Sequence, residues 1–299
     1  MSNFTSFTQT AETQLPKRKS QAASLAVRRT LCYILLIILA FLSIFPFFIL
    51  IINSTRVHGQ ITKGFSAIPS TFFITNLKNV LSNANTPIVH ALVNSIYVSI
   101  MTAVLTTYFS AMTAYGLYMY HFKGRGFAFK FILAVMMVPG QISALGFIKL
   151  ITKIGLMGHL EALYIPAIAS PVVFFYLYQA MESTLPYSIV EAARVDGCNE
   201  FKTFNIVALP MMKPSIAVQA IFAFVSSWNN YFTPALVISK KTRKTIPIII
   251  AQLRSADYQK FDLGQVYMLI CIAIVPLLIV YLFLSRYIIS GVTLGGVKE

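Results

Sequence analysis

Apolar residues in this chain fall in long uncharged runs separated by polar stretches. The runs lie at about 31–52, 91–119, 131–148, 162–181, 214–239 and 263–285, and none contains Asp, Glu, Lys, Arg or His. Each is near the ~20 residues that a helix needs to cross a bilayer core. The pattern predicts an all-α polytopic membrane protein with six transmembrane helices, and an even number places both termini on one side. Residues 245–253, TIPIIIAQL, are apolar but too short to cross, so they are expected to dip into the outer interface or cover a pore. Residues 53–90 mix apolar positions with prolines and asparagines, which suits an external loop. Pro46, Pro139, Pro166, Pro171, Pro234 and Pro276 sit inside runs, where neighbouring helices and water can satisfy the freed carbonyls; kinked spans around a cavity are expected.

Charge orients the array. Residues 1–29 are polar and carry Lys17, Arg18, Lys19, Arg28 and Arg29. The run that follows is longer than the ~7–15 residues of a cleavable signal core and has no small-x-small site after it, so it reads as an uncleaved first span with a cytosolic N-terminus. The expected organisation is a basic segment 1–29, a membrane domain 30–289 with a cytosolic loop at 187–210, and a cytosolic tail 290–299. Basic residues then divide 13 inside and 11 outside, the outside set including Lys240, Lys241, Arg243 and Lys244. The early charges decide the orientation. Only 11% of residues are charged, against roughly 25% in soluble domains, which excludes an ordinary soluble protein. The formal charge of +15 flanks apolar runs and forms no basic patch with interleaved aromatics, so nucleic acid is not the expected partner. Cys32, Cys198 and Cys271 lack metal or disulfide spacing.

The polar interruption between the fourth and fifth runs carries the sharpest signal. Residues 191–210 read EAARVDGCNEFKTFNIVALP: helix formers Glu191, Ala192 and Ala193, then Asp196-Gly197, where a helix turns, then a second helix from Glu200 to Leu209-Pro210. Phe201, Phe204 and Val207 fall at helical spacing and are expected to share a face that seats in a partner's groove. An ordinary amphipathic cytosolic loop is the plainer alternative.

This stretch resembles the loop of ABC-importer permeases, whose pattern is E-A-A, three residues, G, nine residues, I-x-L-P. Glu191, Ala192, Ala193, Gly197, Leu209 and Pro210 match, and Val207 stands in place of the isoleucine, keeping a β-branched apolar contact. The run Trp228-Asn229-Asn230-Tyr231-Phe232 and the ending SGVTLGGVKE look like the carbohydrate-importer branch, close to the smaller maltose-type permease. The resemblance covers about 31–299. It implies a type I ABC importer permease in the cell membrane that pairs with a second homologous permease chain. Two cytosolic ATPase subunits would sit beneath the pair, and an extracellular solute-binding protein would deliver a sugar. The chain itself would hold no cofactor, ATP and Mg being bound by the ATPase. Glu191, Ala192, Ala193, Asp196, Gly197, Phe201, Leu209 and Pro210 would contact the ATPase, and Gly295, Gly296 and Lys298 of the tail would reach between its domains.

Polar side chains on apolar runs are candidates for the path: Asn94, Thr102 and Thr106, Gln141 and Ser143, Gln179, and Gln219, Trp228, Asn229 and Asn230. Amides and rings suit uncharged, hydroxyl-rich solutes. The same residue types also tie membrane helices together, which is the alternative for each. No run offers an ionisable relay, which disfavours an ion-coupled carrier. The chain contains no phosphate-binding loop and no catalytic constellation, so an enzyme is not expected. A permease for a non-sugar solute and a non-transporting scaffold remain the alternatives.

Overall fold

The computed structural model describes residues 15–83, 86–254 and 262–296, with side chains over 25–83, 86–254 and 262–283. All regular elements among them are helical. The centre is the long helix Ile88–Met119, which packs against Lys213–Trp228 on one side and Pro171–Thr184 on another. Small and hydroxylated residues, among them Ala103, Ala111, Ala114, Ser95, Ser99 and Thr107, are buried along it, letting neighbouring backbones approach closely. The first helix, Leu15–Ser54, lies against the last, Leu263–Gly296. Its apolar side chains from Leu25 to Phe48 are almost all exposed, the surface a lipid-facing span requires.

Four helices among the described residues are long and apolar enough to cross a membrane: Leu25–Ser54, Ile88–Met119, Glu161–Thr184 and Leu263–Phe283. A fifth span results if Glu200–Met211 and Lys213–Trp228, bent by 84° where they meet, are taken together. Six uninterrupted spans are not what forms. The expected third span, 131–148, is two short helices, Arg125–Met136 and Ala144–Lys153. Pro139-Gly140 lies between them, where the proline lacks a donor and the glycine disfavours helix. The expected fifth, 214–239, stops at Trp228 and resumes as Phe232–Val237. The fourth run is interrupted by a 3-10 turn at Pro166–Ile168 before restarting at Pro171, where the Ser170 side chain accepts from the Val173 amide at 3.4 Å.

One end of the bundle is closed by the connecting segments. Residues 246–254 form a helix whose Ile246 and Ile249 are buried among Val80, Ile88, Ala91, Met268 and Leu269, so this stretch is part of a packed core. Asn94 Nδ2 donates to the carbonyls of Thr242 and Lys244 at 2.9 and 3.0 Å, and Ser95 Oγ accepts from the Ile246 amide at 2.8 Å. Nearby, buried Arg56 donates to Asn53 Oδ1, Gln60 O and Gly64 O. Asn76 donates to the carbonyls of Ser54 and Arg56, both at 2.9 Å. The last helix begins against this knot, and a β-carbon on Gly264 would lie 2.6 Å from the Arg56 carbonyl.

The last helix runs on to Gly296 in spite of Gly291, Gly295 and Gly296. Each costs only ~1 kcal/mol relative to alanine, too little to stop a helix already propagating. The tail expected to reach between the ATPase domains is therefore helical as far as Gly296, and Lys298 lies outside the described residues.

Candidate functional site

The 187–210 loop is built as two helical segments around a glycine turn. The first, Tyr187–Val195, ends in a Schellman arrangement: the Cys198 amide donates to Ala193 O and the Gly197 amide to Arg194 O, both at 3.0 Å. Gly197 has φ +82°, a left-handed conformation that glycine adopts freely. Asn199 caps the next helix, Glu200–Thr203, by accepting from the Lys202 amide at 2.8 Å. A π-helical turn at Phe204–Ala208 and the short helix Leu209–Met211 complete it; Pro210 has no N–H to offer the carbonyl of Ile206.

The loop has two faces. Val190, Phe204 and Ala208 are buried in the core that includes Tyr115, Tyr118, Leu177 and Met181. Glu191, Ala192, Asp196, Gly197 and Pro210 are exposed, as are Val195 (88%) and Phe201 (67%). Ala193 is buried, and Leu209 packs partly against the core. The expected shared face of Phe201, Phe204 and Val207 is therefore split. Phe201 points out, Phe204 is 2% exposed against the rings of Tyr108 and Tyr115, and Val207 lies between. Helical spacing put them together, but Phe204 is taken into the core by the rings of Tyr108 and Tyr115, and the widened turn from Phe204 to Ala208 shifts the register only of the residues after it, Val207 among them.

A polar cluster not anticipated from sequence spans the glycine turn. Arg194 Nε donates to Glu200 Oε1 at 2.7 Å and Nη2 to Oε2 at 3.3 Å, a forked pair. Tyr115 Oη donates to Glu200 Oε2 at 3.2 Å, and the guanidinium lies 5.6 Å from the centre of the Tyr120 ring. Burial alone would raise the Glu200 carboxyl, but Arg194 and the Tyr120 and Tyr115 hydroxyls outweigh it and hold it below the usual carboxylate range. The same pairing raises Arg194, and burial followed by the Glu200 carboxylate raises Tyr120. The legible signal was an arginine and a glutamate on opposite sides of Asp196-Gly197.

A cleft of about 1190 Å³ lies between the central helix, residues 163–180 and the helix Lys213–Trp228. Thr102, Thr106, Ser170, Tyr176, Gln219, Phe222, Ser227 and Asn230 contribute to its wall, and none of the described residues lining it is charged. Of the expected path residues, Thr102, Thr106, Gln219 and Asn230 are here, whereas Ser143 does not line the cleft. Asn94 is not: its amide is held by the backbone of 242–244. Gln141 is exposed in the break of the third run, and Gln179 is exposed away from the cleft wall. Trp228 is 3% exposed and stacks on Phe224, and with Asn229 it borders a separate cavity of about 380 Å³. Thr106 also ties helices, donating to Ala167 O at 2.7 Å, and Thr102 accepts from Ser227 at 3.3 Å. The exposed rings of Tyr176 and Phe222 were missed, because an aromatic residue in an apolar run carries no mark of facing a cavity.

Comparison with known proteins bears on both features. The arabinooligosaccharides transport system permease protein AraQ of Halalkalibacterium halodurans is 36% identical over 87% of this chain and 93% of its own length. The lactose transport system permease protein LacG of Rhizobium radiobacter is 31% identical over 89% and 95%. The trehalose/maltose transport system permease protein MalG of Thermococcus litoralis is 29% identical over 91% and 98%. The crystal structure of a bacterial ABC transporter involved in the import of the acidic polysaccharide alginate contains a chain of the same fold. It superposes with a TM-score of 0.78 at 20% identity over 89% of this chain and 98% of that one. Residues 106–293, which include the loop, its hinge and most of the cleft wall, match the family description itself: the chain is a multi-pass membrane protein belonging to the binding-protein-dependent transport system inner membrane component family.

Proposed function

We propose that this chain is the transmembrane permease subunit of an ATP-driven, binding-protein-dependent sugar importer, forming half of its translocation path. The carrying observation is the two-faced loop: one side is built into the core of the bundle, while Val195 and Phe201 are left bare around a shaped glycine turn. A merely solvated loop has no use for two large apolar side chains at 88% and 67% exposure. Seated in a cytosolic ATPase, that face would convert closure of two ATPase subunits into rocking of the bundle. ATP and Mg would be bound by those subunits. A second homologous permease chain would close the open side of the cleft, and an external binding protein would load it.

The cleft supports a neutral, hydroxyl-rich cargo. Its wall offers amides and hydroxyls at Gln219, Asn230, Thr102, Thr106, Ser226 and Ser227, with two exposed rings and, among the described lining residues, no cation to hold an acidic group. The relatives named for arabinooligosaccharides, lactose and trehalose/maltose agree with an oligosaccharide. In this reading the loop and both termini lie in the cytosol of a plasma-membrane protein. The test is uptake of labelled oligosaccharides by cells expressing the full complex. Uptake that survives a protonophore and stops on ATP depletion is expected. Dependence on the ion gradient would establish a secondary carrier instead, and unchanged uptake of every sugar after deletion, with no ATPase co-purifying, a scaffold.

A further inference from the structure

Three tyrosines on one side of the central helix hold the loop. Tyr108 Oη donates to Asn205 Oδ1 and Tyr115 Oη to Glu200 Oε2, both at 3.2 Å, and the Tyr118 carbonyl accepts from Tyr187 Oη at 2.9 Å. These contacts straddle the turn, Tyr187 lying before Gly197 and Glu200 and Asn205 after it. Arg194 closes the gap by forking onto Glu200. The paired side chains are 35% and 44% exposed, and an ion pair this open adds little to global stability. Its effect is geometric. Gly197 has no atom within 4 Å of where a β-carbon would stand, so no side chain packs on the turn itself; besides the backbone bonds of the Schellman arrangement and the Asn199 cap, these side-chain bonds are what tie the turn to the central helix. Thr102 and Thr106, further along the same helix as Tyr115, line the cleft; at ~1.5 Å of rise per residue Thr106 is about 14 Å from Tyr115 along the axis.

We infer that Arg194, Glu200 and Tyr115 form a clamp that fixes the angle of the Gly197 turn against the central helix, so that displacement of the loop reaches the cleft wall and is not absorbed by the glycine. They are positioning residues, distinct from the exposed face that would meet the ATPase. The inference rests on the permease reading above.

The test uses the full complex, with the second permease, ATPase and binding protein, in proteoliposomes. Arg194→Glu and Glu200→Arg are each expected to lower binding-protein stimulation of ATP hydrolysis by about fivefold, within the range of ordinary allosteric coupling. The ATPase should still co-purify and unstimulated hydrolysis persist. The double exchange should regain most of the stimulation, a rescue that general loosening of the fold does not give. Should the charge reversals fail to reach the membrane, Glu200→Gln and Tyr115→Phe keep the side-chain shapes, and each is expected to lower the sugar transported per ATP. Single variants within about twofold of wild type, or an exchange no better than either single, would overturn the clamp. A wild-type chain that brings down no ATPase would overturn the permease reading itself.

Discussion

Gly197 offers a graded test of the loop because the structure separates backbone strain from crowding. Its φ of +82° is costly for a residue with a β-carbon, yet a β-carbon there would meet no atom of this chain within 4 Å. Strain alone is therefore the intramolecular cost: ~1–2 kcal/mol for an ordinary L-residue, with asparagine better tolerated. Gly197→Ala should bias the turn by about that amount, a factor of roughly 5–30 in the population of the native turn. Gly197→Asn should lose least. Gly197→Asp shares asparagine's shape but adds a charge beside the exposed Asp196, so any loss beyond the asparagine variant reports what the turn meets in a partner. The assay is binding-protein-stimulated ATP hydrolysis and uptake, normalised to protein in the membrane. The expected order is wild type, then asparagine, then alanine, with aspartate lowest and its uptake abolished. Wild-type stimulation in Gly197→Asp would refute the placement of this turn at the ATPase, and asparagine as damaging as alanine would refute the strain argument.

Gly264→Ala should destabilise the bundle by ~1–3 kcal/mol, because the new methyl would stand 2.6 Å from the Arg56 carbonyl, a backbone atom that cannot swing aside; a thermal midpoint in detergent equal to wild type would contradict this. The Glu200 carboxyl is depressed in the folded loop, so its contribution is complete above the ordinary carboxylate range and disappears as pH falls through the lower folded value. The protection of amides across 194–200, taken as the intrinsic exchange rate at each pH over the observed one, should accordingly fall on acidification in wild type, and this acid dependence should vanish in Glu200→Gln. Glu191 is exposed on the loop's outer side, the side that the proposed ATPase contact would use; if it pairs there, Glu191→Ala should weaken co-purification of the ATPase, most visibly at low salt, and wild-type assembly and transport would assign it to solvent alone. Truncation after Ser290 should leave a complex that assembles but hydrolyses ATP or transports poorly, and normal rates would leave the tail without a role.

What could be read from the chain depended on how local each decision was. Residues 31–52, 91–119 and 263–285 became long helices as expected, since length and unbroken apolarity are enough to decide a span. The turn at Gly197 was legible for the same reason: a left-handed glycine closing one helix and an asparagine capping the next are settled within a few residues. The run 131–148 failed because counting apolar positions gives Pro139-Gly140 too little weight against its neighbours. The placement of Asn94 was not legible for another reason: its two acceptors are carbonyls near residue 243, and no pattern around 94 announces them. Glu200 likewise meets Tyr115 from far along the chain.

Phe201 and Phe204 carry the point further. In a soluble helix, apolar positions one turn apart share the buried side, because the opposite side must face water. Here the bundle, the bilayer and a docked partner all accept apolar side chains, so spacing alone did not distinguish the ring at 2% exposure from the one at 67%. The distinction came from the tyrosines of the central helix, which draw Phe204 inward and leave Phe201 outside. In this chain polar side chains are accordingly the better guide to which helices touch: Tyr108, Tyr115, Thr106 and Asn94 each mark a contact between distant segments, whereas the apolar pattern marks only where the chain can cross.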